Sequence, residues 1–344
     1  AGVARLRSIL EEDPDLTRRL RALWTLHAAG ATRGEAGTDL LLGALRNQEP
    51  ELRAWAIQLA CEGRAPLPRF LIEMQAIAPT EASPVVRLHL ACALQRLPLA
   101  HRWNLASSLA GHAVDTGDQN IPFLLWYGIE PLVPSDPERA IRLAVESKIP
   151  VLSRWIVRRA AHEADGREAL FVMLGQAEDD VARAWVLDSV MEAIGGRRRI
   201  EMPTSWGDAY ATLASSADKT VQDTGLVLAA MFGDAAAFPA LRASLADPST
   251  PRERRILAIE SLRAGKDLES VALLCSALGD ESIRSEALKA LAVFSDSRVP
   301  AAILANYGEF NEDERRDAVS TLTSRPESAL ALLDAVEAGV VDRK

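Results

Sequence analysis

The fold is decided by a repeated stretch, Glu-Pro-Glu-Leu-Arg-Ala-Trp-Ala at positions 49–56 and Ser-Pro-Val-Val-Arg-Leu-His-Leu at positions 83–90. Each copy begins with a polar residue and a proline, and continues with an apolar residue, an arginine and helix-forming residues. Proline suits the first turn of a helix, because its missing N–H would have no partner there. Arg53 and Arg87 lie 34 residues apart, so the two stretches are copies of one repeating unit.

Weaker copies of this pattern extend over the whole chain. They recur at intervals of 29–40 residues, except for one interval of 66 that spans two units. This period is close to that of HEAT repeats, in which helix pairs stack because a single pair cannot bury its own apolar stripe. The sequence therefore predicts an all-α fold: an α-solenoid of about ten HEAT-like helix pairs, wound into a right-handed superhelix. The recurring arginines are predicted to tie one repeat to the next acidic turn: Arg21, Arg53, Arg87, Arg255, Arg284 and Arg315.

Four polar residues that precede a proline mark predicted helix starts. A side-chain oxygen at such a position caps free backbone N–H groups, and the proline occupies the first helical position. The four residues are Asp13, Ser83, Asp136 and Asp247.

Length and charge indicate two halves. A chain of 344 residues exceeds the size at which one compact core stops growing. Residues 1–200 are nearly neutral, whereas residues 201–344 hold 15 Lys and Arg against 23 Asp and Glu, which argues against nucleic-acid binding. We predict one HEAT-like half at residues 1–195, a seam at 196–207 and a second, acidic half at 208–344. The chain begins abruptly at Ala1, and we expect it to be a piece of a longer protein.

The stretch from Asp118 to Val133 differs from the Ala- and Leu-rich sequence around it. It combines turn-forming residues, a proline and a dense aromatic run, which predicts a short helix from Pro122 that Pro131 ends. Trp126, Tyr127 and Glu130 share one side of this helix. They form a recognition pocket, or the rings pack between repeats and Glu130 pairs with an arginine; the sequence leaves both interpretations open.

Other polar residues extend the candidate surface. Asp118 and Asn120 resemble part of a Ca²⁺ loop, but the distal glutamate is missing, so capping of a helix is the better interpretation. Arginines beyond Lys148 and the basic loop at 197–199 would suit an acidic partner or form a solvated or salt-bridged face. The candidate binding residues are Arg87, Arg96, Asp118, Asn120, Trp126, Tyr127, Glu130, Arg154 and Arg158.

Redox and metal chemistry have weak signals. Three scattered cysteines do not make a disulfide framework, and the five histidines show no ligand spacing typical of a metal site. No apolar run is long enough to cross a membrane.

Ordered motifs in the first half resemble a known family. They are residues 21–27, residues 85–98 closing with Arg102-Trp103, residues 120–132, and residues 147–150 leading to Arg158-Arg159. Together they are similar to the central HEAT region of large exported haem-binding proteins of planctomycetes, which are often labelled membrane-bound dehydrogenases. The resemblance covers roughly residues 15–165.

The resemblance implies neighbouring domains outside this chain. Family members carry a sugar-dehydrogenase-like β-propeller, the HEAT region and a cytochrome c module. This chain has no Cys-x-x-Cys-His motif, so we expect no cofactor in it and haem only in a neighbouring domain. The implied compartment is periplasmic or exported, with a cytoplasmic location not excluded.

The sequence favours a non-catalytic scaffold, because no catalytic constellation is readable. Its expected partners are proteins: the neighbouring propeller and cytochrome domains, or an external protein or peptide. Nucleic acid is not expected. The alternative is an enzyme on the same fold, similar to bilin lyases or DNA glycosylases, with a pocket around Trp126–Glu130.

Overall fold

Helices account for the regular structure of the chain. The computed structural model describes residues 2–63, 65–177, 179–194 and 200–341, and within them no strand occurs. The predicted all-α fold of about ten HEAT-like helix pairs is confirmed, since ten consecutive pairs and a final helix follow one another there.

The chain divides into two compact units. Unit 1 comprises Ala1–Met173 and Asp188–Gly195, and unit 2 comprises Leu174–Leu187 and Gly196–Lys344. The predicted seam at residues 196–207 stays a prediction. Its glycine pair and the basic loop at 197–199 lie outside the described residues.

Unit 1 is built from two layers of helices. The first helices of successive pairs pack side by side in one layer, α3 on α5, α5 on α7 and α7 on α9. The second helices form the other layer, in which α2, α4, α6, α8 and α10 follow one another. The bounds are α1 Gly2–Glu12, α2 Leu16–Ala28, α3 Gly34–Leu45, α4 Pro50–Ala60, α5 Pro68–Ile77, α6 Pro84–Leu94, α7 Trp103–Ala110, α8 Ile121–Ile129, α9 Pro137–Glu146 and α10 Pro150–His162.

Helices α11 Ala164–Gln176 and α12 Asp180–Ile194 each contribute residues to both units. Unit 2 repeats the two-layer arrangement, with α14, α16, α18 and α20 in one layer and α15, α17, α19 and α21 in the other. Its remaining helices are α13 Trp206–Ala214, α14 Lys219–Phe232, α15 Phe238–Ala246, α16 Arg252–Ala264, α17 Val271–Ala277, α18 Arg284–Leu291, α19 Arg298–Asn306, α20 Glu312–Thr323 and α21 Pro326–Glu337.

Buried or half-buried arginines hold the turns between helices. Each donates from its guanidinium to the backbone carbonyl six residues earlier, which satisfies a carbonyl that the turn leaves without a helical partner. These bonds join Arg53 to Asn47, Arg87 to Glu81, Arg167 to Ala161 and Arg284 to Leu278, at 2.7–3.2 Å.

Several of the recurring arginines also reach a carboxylate in the following repeat, as predicted. The ion pairs are Arg53 with Glu81 at 2.7 Å, Arg87 with Asp115 at 2.6 Å, Arg255 with Asp280 at 2.6 Å and Arg284 with Glu314 at 3.6 Å.

The first and last predicted copies of this position are wrong. Arg21 is exposed, and Arg19 instead donates to the carbonyl of Leu10 at 2.9 Å. Arg315 is half-exposed, whereas its neighbour Glu314 is buried. Both copies lie in stretches with several charged residues in a row, so spacing alone does not select the residue that faces inward.

Two of the four predicted caps are displaced. Asp136 accepts from the N–H of Arg139, and Ser83 occupies the N-cap position of α6 without a side-chain bond. Asp13 lies two residues too early, because Asp15 caps α2. Asp247 ends α15 rather than beginning α16, since a loop with a second proline follows it.

Candidate functional site

Helix α8 presents an aromatic stripe to solvent. Asp118 accepts hydrogen bonds from the N–H groups of Asn120 and Ile121, both at 2.8 Å, which fixes the first turn, as the capping interpretation predicts. These bonds, that of Ile121 above all, hold the pKa of Asp118 below its usual range. Phe123 and Tyr127, one turn apart, remain 49% and 56% exposed.

Trp155 of α10 packs against two rings of this stripe. Its ring centroid lies 5.0 Å from that of Phe123 and 6.0 Å from that of Trp126. Tilted rings at these distances attract each other through their quadrupoles as well as by burial. The three rings form a rigid cluster whose outer surface stays accessible, so packing between repeats and exposure to a partner occur together.

An ion-pair network closes one side of the cluster. Glu130 accepts from Nε of Arg159 at 2.7 Å, and Glu163 accepts from Nη1 of the same arginine at 2.8 Å. The hydrogen bond from Arg159 lowers the pKa of Glu163. Glu130 therefore pairs with an arginine, as one of the two sequence interpretations predicted. Its carboxylate is engaged by Arg159.

Two further arginines of α10 point outward. Arg154 is exposed, and no hydrogen bond or ion pair of its side chain occurs within the part of the chain that the structure describes. Arg158 is exposed and lies 4.0 Å from Glu192, a distance at which a surface pair contributes little. Both guanidinium groups are available to an anionic group of a partner.

A shallow cavity joins these features. It has a volume of about 430 Å³, within the range of small-ligand sites. Indole rings on one side and guanidinium groups on the other would accept an apolar side chain together with a carboxylate. Its lining residues are Trp126, Trp155, Arg158, Arg159, His162 and Glu163.

The remaining predicted residues lie elsewhere. Arg87 is only 2% exposed and is bound to Asp115, so it is not available to a partner; its role is the structural one of the recurring arginines. Arg96 is exposed at the end of α6 and donates a long 3.4 Å bond to the carbonyl of Cys61. Asn120 is exposed and makes no side-chain cap bond.

Sequence reasoning missed a second aromatic group on the same layer of helices. The rings of Trp24 and Trp55 meet edge to face with centroids 4.9 Å apart, and the ring of His89 lies 6.5 Å from that of Trp55. The signal was present in the repeats, because Trp55 and His89 each follow a recurring arginine by two residues. Aligning the copies at that position would have placed Trp55 and His89 on neighbouring helices.

Over residues 2–63, 65–177, 179–194 and 200–341, no group of three or more His, Cys, Asp or Glu side chains is placed to hold a metal ion. Within the same residues, no helix is long and apolar enough to cross a membrane.

Comparisons with known proteins show likeness of fold. No protein-family model matches the chain, and no curated protein sequence matches it. YibA from Escherichia coli aligns at 12% identity over 86% of this chain and 92% of its own, with a TM-score of 0.37. Human deoxyhypusine hydroxylase, solved in complex with glycerol, aligns at 15% identity over 85% of this chain and 95% of its own, with a TM-score of 0.27.

The sequence-based prediction that the chain is not an enzyme is wrong. It rested on a helical-repeat pattern without a readable catalytic motif. Human deoxyhypusine hydroxylase, an enzyme by its name, aligns with 85% of this chain. A helical-repeat pattern without a readable catalytic motif therefore does not exclude catalysis.

Proposed function

We propose that unit 1 is a protein-binding module that recognises a peptide segment through the exposed face of α8 and α10. One observation carries the proposal: Phe123 and Tyr127 expose about half of their side chains beside the cluster that contains Trp155. Tyrosine, tryptophan and arginine dominate the binding energy of protein interfaces. Aromatic rings bury large areas at a low entropic cost, because they have only two side-chain torsions.

The charges indicate the chemistry of the segment. Arg154 precedes Trp155 directly and is exposed, and Arg158 lies 4.0 Å from Glu192. A partner with an apolar side chain next to Asp or Glu would satisfy both the rings and the guanidinium groups.

A peptide selection tests this function without knowledge of the natural partner. The whole chain is used to select from a random library of peptides about twelve residues long, displayed on phage. We expect the selected peptides to be enriched in apolar residues adjacent to Asp or Glu. Selection of basic peptides, or of no consensus at all, would contradict the proposal.

Matched variants locate the binding surface. Tyr127→Ala and Arg154→Glu should each weaken binding of the selected peptides about tenfold, the effect of losing roughly 1.4 kcal/mol. Ile72→Ala on α5 and Arg142→Glu on α9 are the controls, since both residues are exposed on the other layer of helices. Equal effects of the test and control variants would place the binding surface elsewhere.

The resemblance to exported haem-binding proteins suggests natural candidates for the partner. A neighbouring propeller or cytochrome domain, a periplasmic location and haem outside this chain stay predictions. So does the alternative of a bilin-lyase-like or glycosylase-like pocket near Trp126, whose neighbour Glu130 is engaged by Arg159.

A further inference from the structure

A second cavity of unit 1 lies between two successive turns, the turn from α2 to α3 and the turn from α4 to α5. Its volume is about 560 Å³, which is within the range of small-ligand sites. Apolar walls come from Leu41, Leu59 and Phe70, whereas the two turns contribute polar side chains. The cavity therefore places polar groups beside a surface that suits an apolar ligand.

Three of the polar side chains form one hydrogen-bonded chain. Nδ1 of His27 lies 2.7 Å from Oγ1 of Thr32, and Nε2 of His27 lies 2.7 Å from Oε2 of Glu62. Because a carboxylate only accepts, Nε2 carries a proton and donates it to this bond. In the neutral ring Nδ1 is then an acceptor, and the hydroxyl of Thr32 donates to it. In this order the imidazole can remove the hydroxyl proton while the carboxylate orients the imidazole, which is how enzymes activate a hydroxyl nucleophile.

Glycines shape the turn that carries Thr32. Gly30 and Gly34 have φ values of 77° and 67°, in the left-handed region that other residues avoid. A Cβ at Gly37 would lie 2.1 Å from the carbonyl carbon of Thr32, so the backbone of Thr32 rests directly on the first turn of α3. The stretch Gly30-Ala31-Thr32-Arg33-Gly34 has the spacing of the nucleophile turn Gly-x-Ser-x-Gly. Here a helix rather than a strand precedes the turn, so the assignment rests on the hydrogen bonds and not on the motif.

We propose that this cavity hydrolyses esters of apolar carboxylic acids, with Thr32 as the nucleophile, His27 as the general base and Glu62 as the residue that positions the base. The site lies on α2 to α5, away from α8 and α10, so this activity is additional to the proposed peptide binding. The apolar walls suit the acyl chain of such an ester, because burial of apolar surface is favourable. Thr32 is only 6% exposed, so the ester reaches its hydroxyl through the cavity.

The order of the three groups gives the reaction. Oγ1 of Thr32 forms a bond to the carbonyl carbon of the ester while its proton passes to Nδ1 of His27, and Glu62 stabilises the resulting imidazolium. The tetrahedral intermediate then breaks its bond to the alcohol oxygen, which takes the proton from Nδ1. Water attacks the acyl-threonine ester with His27 again as the base. The carboxylic acid leaves, and the oxygen of Thr32 recovers its proton from His27.

The first turn of α3 and the side chain of Arg33 would stabilise the oxyanion of this intermediate. The first backbone N–H groups of a helix have no partner within the helix, and Arg33, at the N-cap position of α3, makes no side-chain cap bond. Thr32 directly precedes Arg33, whose exposed side chain lines the same cavity. Backbone N–H groups and a guanidinium beside the nucleophile suit the negative charge that develops in acyl transfer.

Hydrolysis of p-nitrophenyl acetate, butyrate and octanoate by the whole chain tests the proposal, with released nitrophenolate as the readout. We expect kcat/KM for at least one ester to fall about a hundredfold in Thr32→Val and in His27→Gln, since each removes the base-activated nucleophile. Thr32→Ser keeps a hydroxyl and should retain activity. The controls are Thr25→Val and His101→Gln, because both residues are exposed outside the cavity. Circular dichroism checks that each variant keeps its helices.

Covalent labelling identifies the nucleophile. An alkyl fluorophosphonate transfers its phosphoryl group to an activated hydroxyl with loss of fluoride, and peptide mass should locate the label on Thr32 in the wild-type chain but not in His27→Gln. Glu62→Gln should lower kcat with little change in KM, because Glu62 acts through His27. The proposal is overturned if the probe leaves Thr32 unmodified, or if Thr32→Val hydrolyses the esters as fast as the wild-type chain. Either result would leave the peptide binding at α8 and α10 to its own test.

Discussion

Arg87 and Asp115 form a two-point ion pair inside unit 1, although 28 residues separate them in the chain. Nε of Arg87 lies 2.7 Å from Oδ2 of Asp115, and Nη2 lies 2.6 Å from Oδ1. Both side chains are 2% exposed. The same guanidinium donates to the carbonyls of Glu81 and Ala82, so one side chain joins two successive turns.

Loss of this arginine should be among the most destabilising single changes in the chain. Arg87→Met leaves the carboxylate of Asp115 buried without a counter-charge, which costs about 3–5 kcal/mol. Arg21→Met is the matched control, because Arg21 belongs to the same recurring set but is exposed, and it should change stability by less than about 0.5 kcal/mol. Urea unfolding measures both. A double variant, Arg87→Met with Asp115→Leu, should recover part of the loss, and equal effects of the two single changes would contradict the structural role.

Close packing of α6 on α8 makes Gly128 intolerant of a side chain. A Cβ there would lie 2.6 Å from Cβ of Leu94, so the helices would have to move apart. We expect Gly128→Ala to lower the unfolding free energy by about 1–3 kcal/mol. Gly43→Ala on α3 meets no atom within 4 Å and should instead stabilise by up to about 1 kcal/mol. Thermal unfolding of the two variants distinguishes the effect of packing from that of helix propensity. If both substitutions stabilise the chain, a side chain at position 128 fits between α6 and α8 and the prediction is wrong.

Asp118 rather than Asn120 should hold the start of α8. Asp118→Ala removes two hydrogen bonds to backbone N–H groups, and loss of such a cap costs about 1 kcal/mol. Asn120→Ala removes no side-chain cap bond and should have little effect. Amide hydrogen exchange of Ile121, Phe123 and Leu124 reports the local change. Faster exchange in Asn120→Ala but not in Asp118→Ala would show that Asn120 is the cap.

Burial should protect Cys61 from alkylation. It is 1% exposed, and desolvation raises the pKa of its thiol to about 12. At pH 8 almost no reactive thiolate forms, so iodoacetamide should label Cys61 only after unfolding. Cys92 and Cys275 are half-buried and should react earlier in a timed experiment read by peptide mass. Labelling of Cys61 at the rate of the other two would contradict its burial.

Asp280 should make unit 2 sensitive to acid. Bonds from Ser282 and then from Arg255 lower the pKa of Asp280 to about 2 from its ordinary value of 3.8. A carboxyl group with a lowered folded-state pKa stabilises the fold fully above the unfolded-state pKa, and this contribution is lost as the pH falls from about 4 to about 2. Asp280→Asn should therefore flatten the pH dependence of unfolding in that window.

The control for this titration is Asp208→Asn, which removes an exposed carboxylate from α13. Circular dichroism melts between pH 2 and 6 provide the comparison. If Asp280→Asn and the wild-type chain lose stability in parallel, the bonds to Ser282 and Arg255 do not stabilise the folded state.

The helical repeats were predictable because their signals are local. In α4 and α6 a proline begins the helix and an arginine is the fourth helical residue. Because both residues lie in the first turn, the copies at Arg53 and Arg87 were assigned correctly from their spacing. The exposure of Tyr127 was not predictable, because it depends on which ring of α10 covers α8. Trp155 packs on Phe123 and Trp126 and leaves Tyr127 uncovered. These contacts join residues about 30 positions apart, so local sequence patterns do not reveal them.

The arginine bonds also bear on how such a chain can gain or lose length. Arg53 and Arg87 each reach a carboxylate 28 residues ahead and a carbonyl six residues behind. Removing residues 54–87 would place Arg53 in the position of Arg87, with Asp115 again 28 residues away and a turn of equal size behind it. The two repeats are interchangeable at their joints, so a gene could duplicate or delete one of them without leaving a buried charge alone.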